Sequence, residues 1–317
     1  MVFGLARKLR KRNARGRVFS LSLHHLKLLA GHRQLPFFTK YQRLVRYLLE
    51  KKLLVKEDFV WINEPIARRR ILAVHSSSYL DSIEEAVFVG MYPVDEVFMD
   101  DRLFHIVKLF CRGTYQAARS ALSNRYAMFL GGGFHHAGRD RAGGFCVLND
   151  VAIAIQGLLD AGEIDSALVI DLDIHQGDGT ARIFSTNPNV FTFSIHQDDN
   201  YPREKARSSL DVSLHSTDAS PKVYLFNLKY TISRILSQHA FDIMVYIAGS
   251  DALIGDVNGG FGFSLKDLEK RDRLVVNFAR REHIPLVVLM GGGYNEDMGR
   301  EVRAYSNTLH ILKESFA

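Results

Sequence analysis

Four stretches of this sequence carry residue types that do chemistry. The densest is Asp171-Leu172-Asp173-Ile174-His175-Gln176-Gly177-Asp178. In an extended strand residues i, i+2 and i+4 share a face, so Asp171, Asp173 and His175 point the same way. Two carboxylates and an imidazole suit a borderline divalent cation, Zn²⁺ or Fe²⁺. Asp251 follows the apolar run 243–248 and could bring a carboxylate from a neighbouring strand. A catalytic zinc takes three protein ligands and keeps one position for water. Taken alone, the same acids also suit the capping of helices and turns.

The other two stretches are glycine-rich turns that end in reactive side chains. Gly131-Gly132-Gly133-Phe134-His135-His136 offers two imidazoles, and a histidine can act as general base near neutral pH. Each imidazole needs an acid on its other nitrogen to fix its tautomer. With Asp173 used on a metal, Asp171 and Asp178 are the acids left for that task. A surface histidine pair is the alternative. Gly291-Gly292-Gly293-Tyr294-Asn295 lacks the Lys-Ser/Thr of a phosphate loop and the spacing of a dinucleotide fingerprint. Tyr294 could aim its hydroxyl at a developing oxyanion, or pack beneath the turn.

These residues need elements to hold them. Apolar runs at residues 71–74, 127–130, 167–170, 190–194, 243–248 and 285–289 read as buried strands. Between them lie helical spacings at Tyr41, Leu44, Val45, Leu48 and Leu49, after Val151, at Leu225–Leu236 positions, and at Leu274, Val275 and Phe278. Asn149 or Asp150 can cap the second of these helices. Strand and helix alternating predicts an α/β fold, a parallel sheet with helices on both faces. No repeat or linker divides it, so one domain is expected over residues 18–317. In such sheets ligands bind beyond the carboxyl ends of the strands, where the reactive residues fall.

Composition narrows the class. The chain has 317 residues, 47% of them hydrophobic, enough for a core without disulfides. Two cysteines, Cys111 and Cys146, argue against a disulfide-rich secreted scaffold and for a reducing compartment. No run of about 18 apolar residues suggests a membrane span. The net charge is +6, but residues 1–17 hold Arg7, Lys8, Arg10, Lys11, Arg12, Arg15 and Arg17 and no acid. The body is therefore close to neutral, and the excess belongs to a tail. Such a tail reads as a solvated terminus, a transit peptide, or an arm for nucleic acid or anionic membrane.

The segments FHHAGRDRAGGFCVLND, DLDIHQGDG, AGSDALIGD and GGGYN, in this order and spacing, resemble the zinc-dependent histone deacetylase family over roughly residues 20–315. Within it, GGGFHH, DRAGGFC, the Asn200-Tyr201-Pro202 segment and Arg271-Asp272 look most like class IV and its bacterial relatives. The resemblance implies an arginase/deacetylase-like single domain with a mostly parallel eight-stranded sheet. It implies Asp173, His175 and Asp251 as metal ligands and His136 as general base, with His135 as its electrostatic partner. Asp171 and Asp178 would orient the two histidines, and Tyr294 would stabilise the oxyanion. It further implies structural K⁺. One site would use Asp171, Asp173, His175, Ser194 and Ile195; a second would use Phe184, Asn187 and Val190. Ordinary turn hydrogen bonding is the alternative reading of those positions.

The acyl-lysine tunnel resembles the family's at Gly144, whose carbonyl would accept the substrate amide, and at Phe145 and Tyr201. Cys146 beside it reads as packing. Two positions depart from the family. The rim acid has no clear equivalent, its place being taken by Met91-Tyr92, and Asn258 stands where Leu or Met usually lines the tunnel. The expected activity is hydrolysis of acyl-lysine in a protein or peptide, by a deacetylase or a longer-chain deacylase. An acetylpolyamine deacetylase is the alternative on the same fold, and a catalytically silent binding module the alternative of another class. An arginase-like ureohydrolase is disfavoured, because the paired histidines do not supply two-metal ligands. A cytoplasmic location is expected, with an organelle or the nucleus as alternatives through the tail.

Overall fold

The computed structural model describes residues 16–31, 38–88, 92–94 and 97–317. The basic residues of the tail up to Arg15, and Met91 at the expected rim, lie outside the described residues. The first strand, β1 (Arg17–Leu21), is followed by α1 (Leu23–Ala30), α2 (Thr39–Glu50) and β2 (Phe59–Ile62). Next come α3 (Arg68–Leu72), α4 (Ser77–Phe88) and a ribbon of β3 (Tyr92–Val94) and β4 (Val97–Met99). The rest alternates: α5 (Asp101–Asn124), β5 (Tyr126–Phe129), α6 (Asp150–Asp160), β6 (Ala167–Asp171), α7 (Asp178–Phe184), β7 (Val190–Gln197) and β8 (Leu210–Leu214). It closes with α8 (Pro221–Gln238), β9 (Ile243–Ile247), α9 (Leu265–Arg281), β10 (Leu286–Leu289) and α10 (Met298–Ser315).

Eight strands form one sheet in the order β2-β1-β5-β10-β9-β6-β7-β8, and every pairing in it is parallel. The four central neighbours are β5, β10, β9 and β6. Their residues are buried throughout, as continuous apolar runs covered on both faces must be. The loops bearing His135-His136, Tyr294, Asp251 and Asp173-His175 follow these same four strands. Adjacency in the sheet thus brings together residues more than a hundred positions apart.

The helices complete the layers. Helix α5 packs along β1, β5 and β10 and against α6, while α9 packs on both α8 and α10. Asn149 caps α6 by accepting from the Ala152 amide at 2.9 Å. Asp150 is thereby free for another task. Ser264 and Asp267 form a reciprocal cap at the start of α9.

Two sequence expectations change. Residues 71–74 are not a strand, because Ile71 and Leu72 end the short helix α3. A four-residue apolar run cannot distinguish a strand from a buried helical turn. Arg17, the last residue assigned to the tail, opens β1, which pairs with β2 and β5.

Candidate active site

Asp173, His175 and Asp251 are buried, and one ligand atom from each lies within 4.8 Å of the others. Nδ1 of His175 is 3.0 Å from Asp173 Oδ1 and 3.2 Å from Asp251 Oδ2. Its Nε2 lies 3.2 Å from the Asn258 carbonyl, to which only an N–H can bond. That bond assigns the proton to Nε2 and directs the Nδ1 lone pair into the cluster. Burial and the neighbouring Asp173 charge push the Asp251 carboxyl up to about 8. Burial opposes a charge on His175, but Asp173 and Asp251 outweigh it and raise the imidazole to about 10. The cluster is built to hold positive charge: a proton on Nδ1, or a divalent cation that replaces it. Two carboxylates and one imidazole nitrogen are a donor set that fits zinc or ferrous ion.

The paired histidines sit beside this cluster, each on its own acid. His135 Nδ1 is 2.7 Å from Asp171 Oδ2, and His136 Nδ1 is 2.9 Å from Asp178 Oδ1. Their Nε2 atoms meet at 3.0 Å. The two imidazoles are driven apart in basicity. Burial disfavours the charged form of His135, yet Asp171 and Asp173 hold it at about 9. Burial and the His135 charge push His136 down to about 3. His136 is therefore neutral and His135 cationic at pH 7. Arg141 Nη2 donates to the second oxygen of Asp178 at 2.8 Å.

The loop carrying the histidines is pinned from α6. Asp150 accepts from the amides of Gly133 at 3.0 Å and Phe134 at 2.7 Å, and from the Thr114 hydroxyl. The Tyr294 turn is held as firmly. Asp256 accepts from the Tyr294 amide at 2.6 Å and from the Asn258 amide at 2.9 Å. Buried Lys40 donates to the carbonyls of Gly291 at 3.1 Å and Gly293 at 3.2 Å. Burial holds the Tyr294 hydroxyl well above the ordinary tyrosine range, so it stays a donor. Gly292 cannot be replaced here, since a Cβ would lie 2.4 Å from Asp251 Oδ2 and 2.7 Å from Asp173 Oδ2.

His135, His136, Asp173, His175 and Tyr294 line a cavity of about 30 Å³, whose walls include Phe145, Gly144, Cys146 and Lys40. Phe145 faces Tyr294 at 6.2 Å between ring centroids, and Tyr201 stands edge-on to His136 at 4.8 Å. Gly144 has φ +52°, and a Cβ there would sit 2.1 Å from the His136 ring. Its carbonyl, expected to receive substrate, accepts from the Cys146 thiol at 3.2 Å. Asn258 acts through its backbone: its carbonyl takes the His175 bond and another from Asn200 Nδ2 at 2.8 Å.

Residues expected around K⁺ lie at neighbouring positions, Asp171 being the register partner of Ser194 in β6 and β7. The Ser194 hydroxyl is 3.0 Å from His196 Nδ1. At the second position the Phe184 and Asn187 carbonyls accept ordinary turn bonds from Asn187 and Val190 amides. Lys40, Asp150, Asp256 and Arg141 were given no role at the site in the sequence expectations, Asp150 being weighed only as a helix cap. Asp256 lay inside the quoted AGSDALIGD segment and Arg141 and Asp150 inside FHHAGRDRAGGFCVLND, so these three sat in readable motifs and Lys40 did not.

The histone deacetylase domain family matches residues 38–309. An uncharacterized protein of Picosynechococcus sp. is 39% identical over 186 residues, 59% of this chain and 62% of that protein. Histone deacetylase 2 of Arabidopsis thaliana is 29% identical over 275 residues, 83% of this chain and 70% of its own length. The chain thus spans under two thirds of the first relative. A crystal structure of an HDAC homolog complexed with SAHA superposes with a TM-score of 0.81 at 22% identity, over 95% of this chain and 84% of that one. With a match spanning most of its length and every motif on adjoining strand ends, the chain belongs to the histone deacetylase family.

Proposed function

We propose that the protein hydrolyses the amide of acyl-lysine in a metal-dependent reaction. The observation that carries this reading is the convergence of three buried ligand atoms within 4.8 Å beside two histidines, each bonded to its own acid. Asp173, His175 and Asp251 would hold Zn²⁺, with Fe²⁺ as the alternative. A divalent ion there supplies Lewis acidity toward the amide carbonyl and makes water more acidic.

The side chains do the rest. The tunnel walls Phe145 and Tyr201 hold the methylene stem of lysine. Neutral His136 takes a proton from the attacking water as its oxygen bonds to the amide carbon. The Tyr294 hydroxyl stabilises the negative oxygen, and the His135 cation is the electrostatic partner of His136. The C–N bond then breaks, and His136 returns the proton to the lysine amine. A carboxylic acid and a free lysine are the products. A peptide is favoured over a polyamine: Ile254 and Val257, on the loop between Asp251 and Asn258, are exposed, and Asp256 is committed to backbone amides.

The test is hydrolysis of acetyl-, butyryl- and myristoyl-lysine peptides by zinc-loaded protein, with Tyr294→Phe alongside. Turnover of one or more peptides, lost in the variant, is expected. A zinc-replete protein inert on the whole series would refute the reading.

A further inference from the structure

We propose that Arg271 is a positioning residue that sets the spacing of the two metal-ligand loops and, through it, the affinity for the divalent ion. The inference rests on the reading of Asp173, His175 and Asp251 as a metal centre. Arg271 lies on α9, outside the cavity, and touches none of the three ligand side chains by any hydrogen bond among the described residues.

Arg271 is only 1% exposed, and arginine is seldom buried to that degree. Removing a guanidinium from water is costly unless its donors are all matched. Here the donors go to the two loops in question. Nη1 reaches the Gly249 carbonyl at 2.6 Å and the Leu172 carbonyl at 3.4 Å, and Nη2 reaches the Ala248 carbonyl at 3.2 Å. Leu172 sits between Asp171 and Asp173. Gly249 is two residues before Asp251. One rigid plane therefore bridges the ends of β6 and β9 just where each delivers its ligand.

The plane is itself immobilised. Asp272 Oδ1 accepts from Arg271 Nε at 3.0 Å and from the Tyr246 hydroxyl at 2.5 Å. Its Oδ2 accepts from the Thr308 hydroxyl of α10 at 2.6 Å. The loops also have no slack toward each other: a Cβ on Gly249 would lie 2.7 Å from Asp173 Oδ2 and 2.8 Å from Asp251 Oδ1. A shift of either loop changes the distance between ligand oxygens, on which affinity for a bound ion would depend. Lysine cannot substitute, because a single ammonium lacks the flat fork that spans two carbonyl rows.

A purely structural role would lower stability and leave metal affinity alone. The full chain is stripped with EDTA, and Zn²⁺ is titrated against a chromophoric chelator. Wild type, Arg271→Met, Arg271→Lys and Thr308→Val are compared, with thermal unfolding of each. Zinc Kd is expected to rise about 10–100-fold in Arg271→Met, as for other groups that orient ligands. Arg271→Lys should fall between, and Thr308→Val should show a rise of a few-fold while folded. If Arg271→Met does not fold, the other two carry the test. Folded variants with wild-type zinc affinity, whatever their Tm, overturn this inference alone. A wild type that does not bind zinc overturns the metal reading and this inference with it.

Discussion

The floor and the mouth of the site are built on opposite terms. At the floor, His135, Asp173 and Asp251 are 3%, 1% and 0% exposed, and each is bonded to a further polar group. The mouth comprises Tyr201, beside His136, and the loop between Asp251 and Asn258; there Tyr201, Ile254 and Val257 are 42%, 57% and 54% exposed. Burial makes the floor's charges strong and its geometry exact in consequence, since an unpaired group there is costly. The mouth pays no such cost and is free to vary. The packed strand ends thus fix the buried cluster, while the exposed residues are not held by it.

Four outcomes would break or sharpen this contrast. The largest is expected from Tyr294→Phe, which removes one oxyanion donor: kcat should fall about 10²–10³-fold in steady-state assays with KM little changed. Gly144→Ala comes next. Its Cβ would strike the His136 ring and its φ of +52° is unfavourable for alanine. Displacing a catalytic group by about 1 Å can cost up to about 10²-fold, so kcat should fall at least about tenfold and the Tm should drop.

The third concerns pH. His135 rises to about 9 in the folded, metal-free protein against an ordinary 6.5, so its protonated form stabilises the fold. That contribution is complete below pH 6.5 and is lost as pH rises through 9. Thermal unfolding of stripped protein should show the Tm falling by several degrees between those limits. His136, pushed down to about 3, acts in the opposite sense: its contribution is present above pH 6.5 and lost as pH falls toward 3. The smallest effect belongs to the mouth. Ile254→Ser and Val257→Ser should change stability by no more than about 0.5 kcal/mol and shift KM between peptides of different flanking sequence. If these two cost as much turnover as the floor variants, the division between floor and mouth fails.

The same contrast separates what could be read in the sequence from what could not. The strands that carry the floor, β5, β6, β9 and β10, are apolar runs that reach an Asp or a Gly at or just past their ends, and they were legible as they stand. So were the Asp-x-Asp-x-His spacing and the paired histidines. The sheet's edges were not. In β8 the burial of Leu210–Leu214 alternates between half-buried and exposed, and β1 hides Ser20 within its run next to the basic tail. Helix α5, the longest, gave no signal that was singled out, although its buried face runs from Leu103 to Ala121. The roles of the supporting residues were illegible for another reason. Lys40, Asp150 and Arg271 act on backbone groups 16 to 253 positions away, a relation only the folded sheet creates. Asn258 is the converse case: its residue type drew attention to the side chain, while the bond its carbonyl makes to His175 is a backbone relation that no residue type signals.

The central claim is that buried Asp173, His175 and Asp251 hold one divalent ion on which amide hydrolysis depends. The direct measurement is turnover of an acyl-lysine peptide during stepwise return of Zn²⁺ to stripped protein. The account predicts activity that rises to a plateau at one equivalent and is absent from Asp251→Asn. Activity that is unchanged by stripping, or that returns equally in Asp251→Asn, would contradict it.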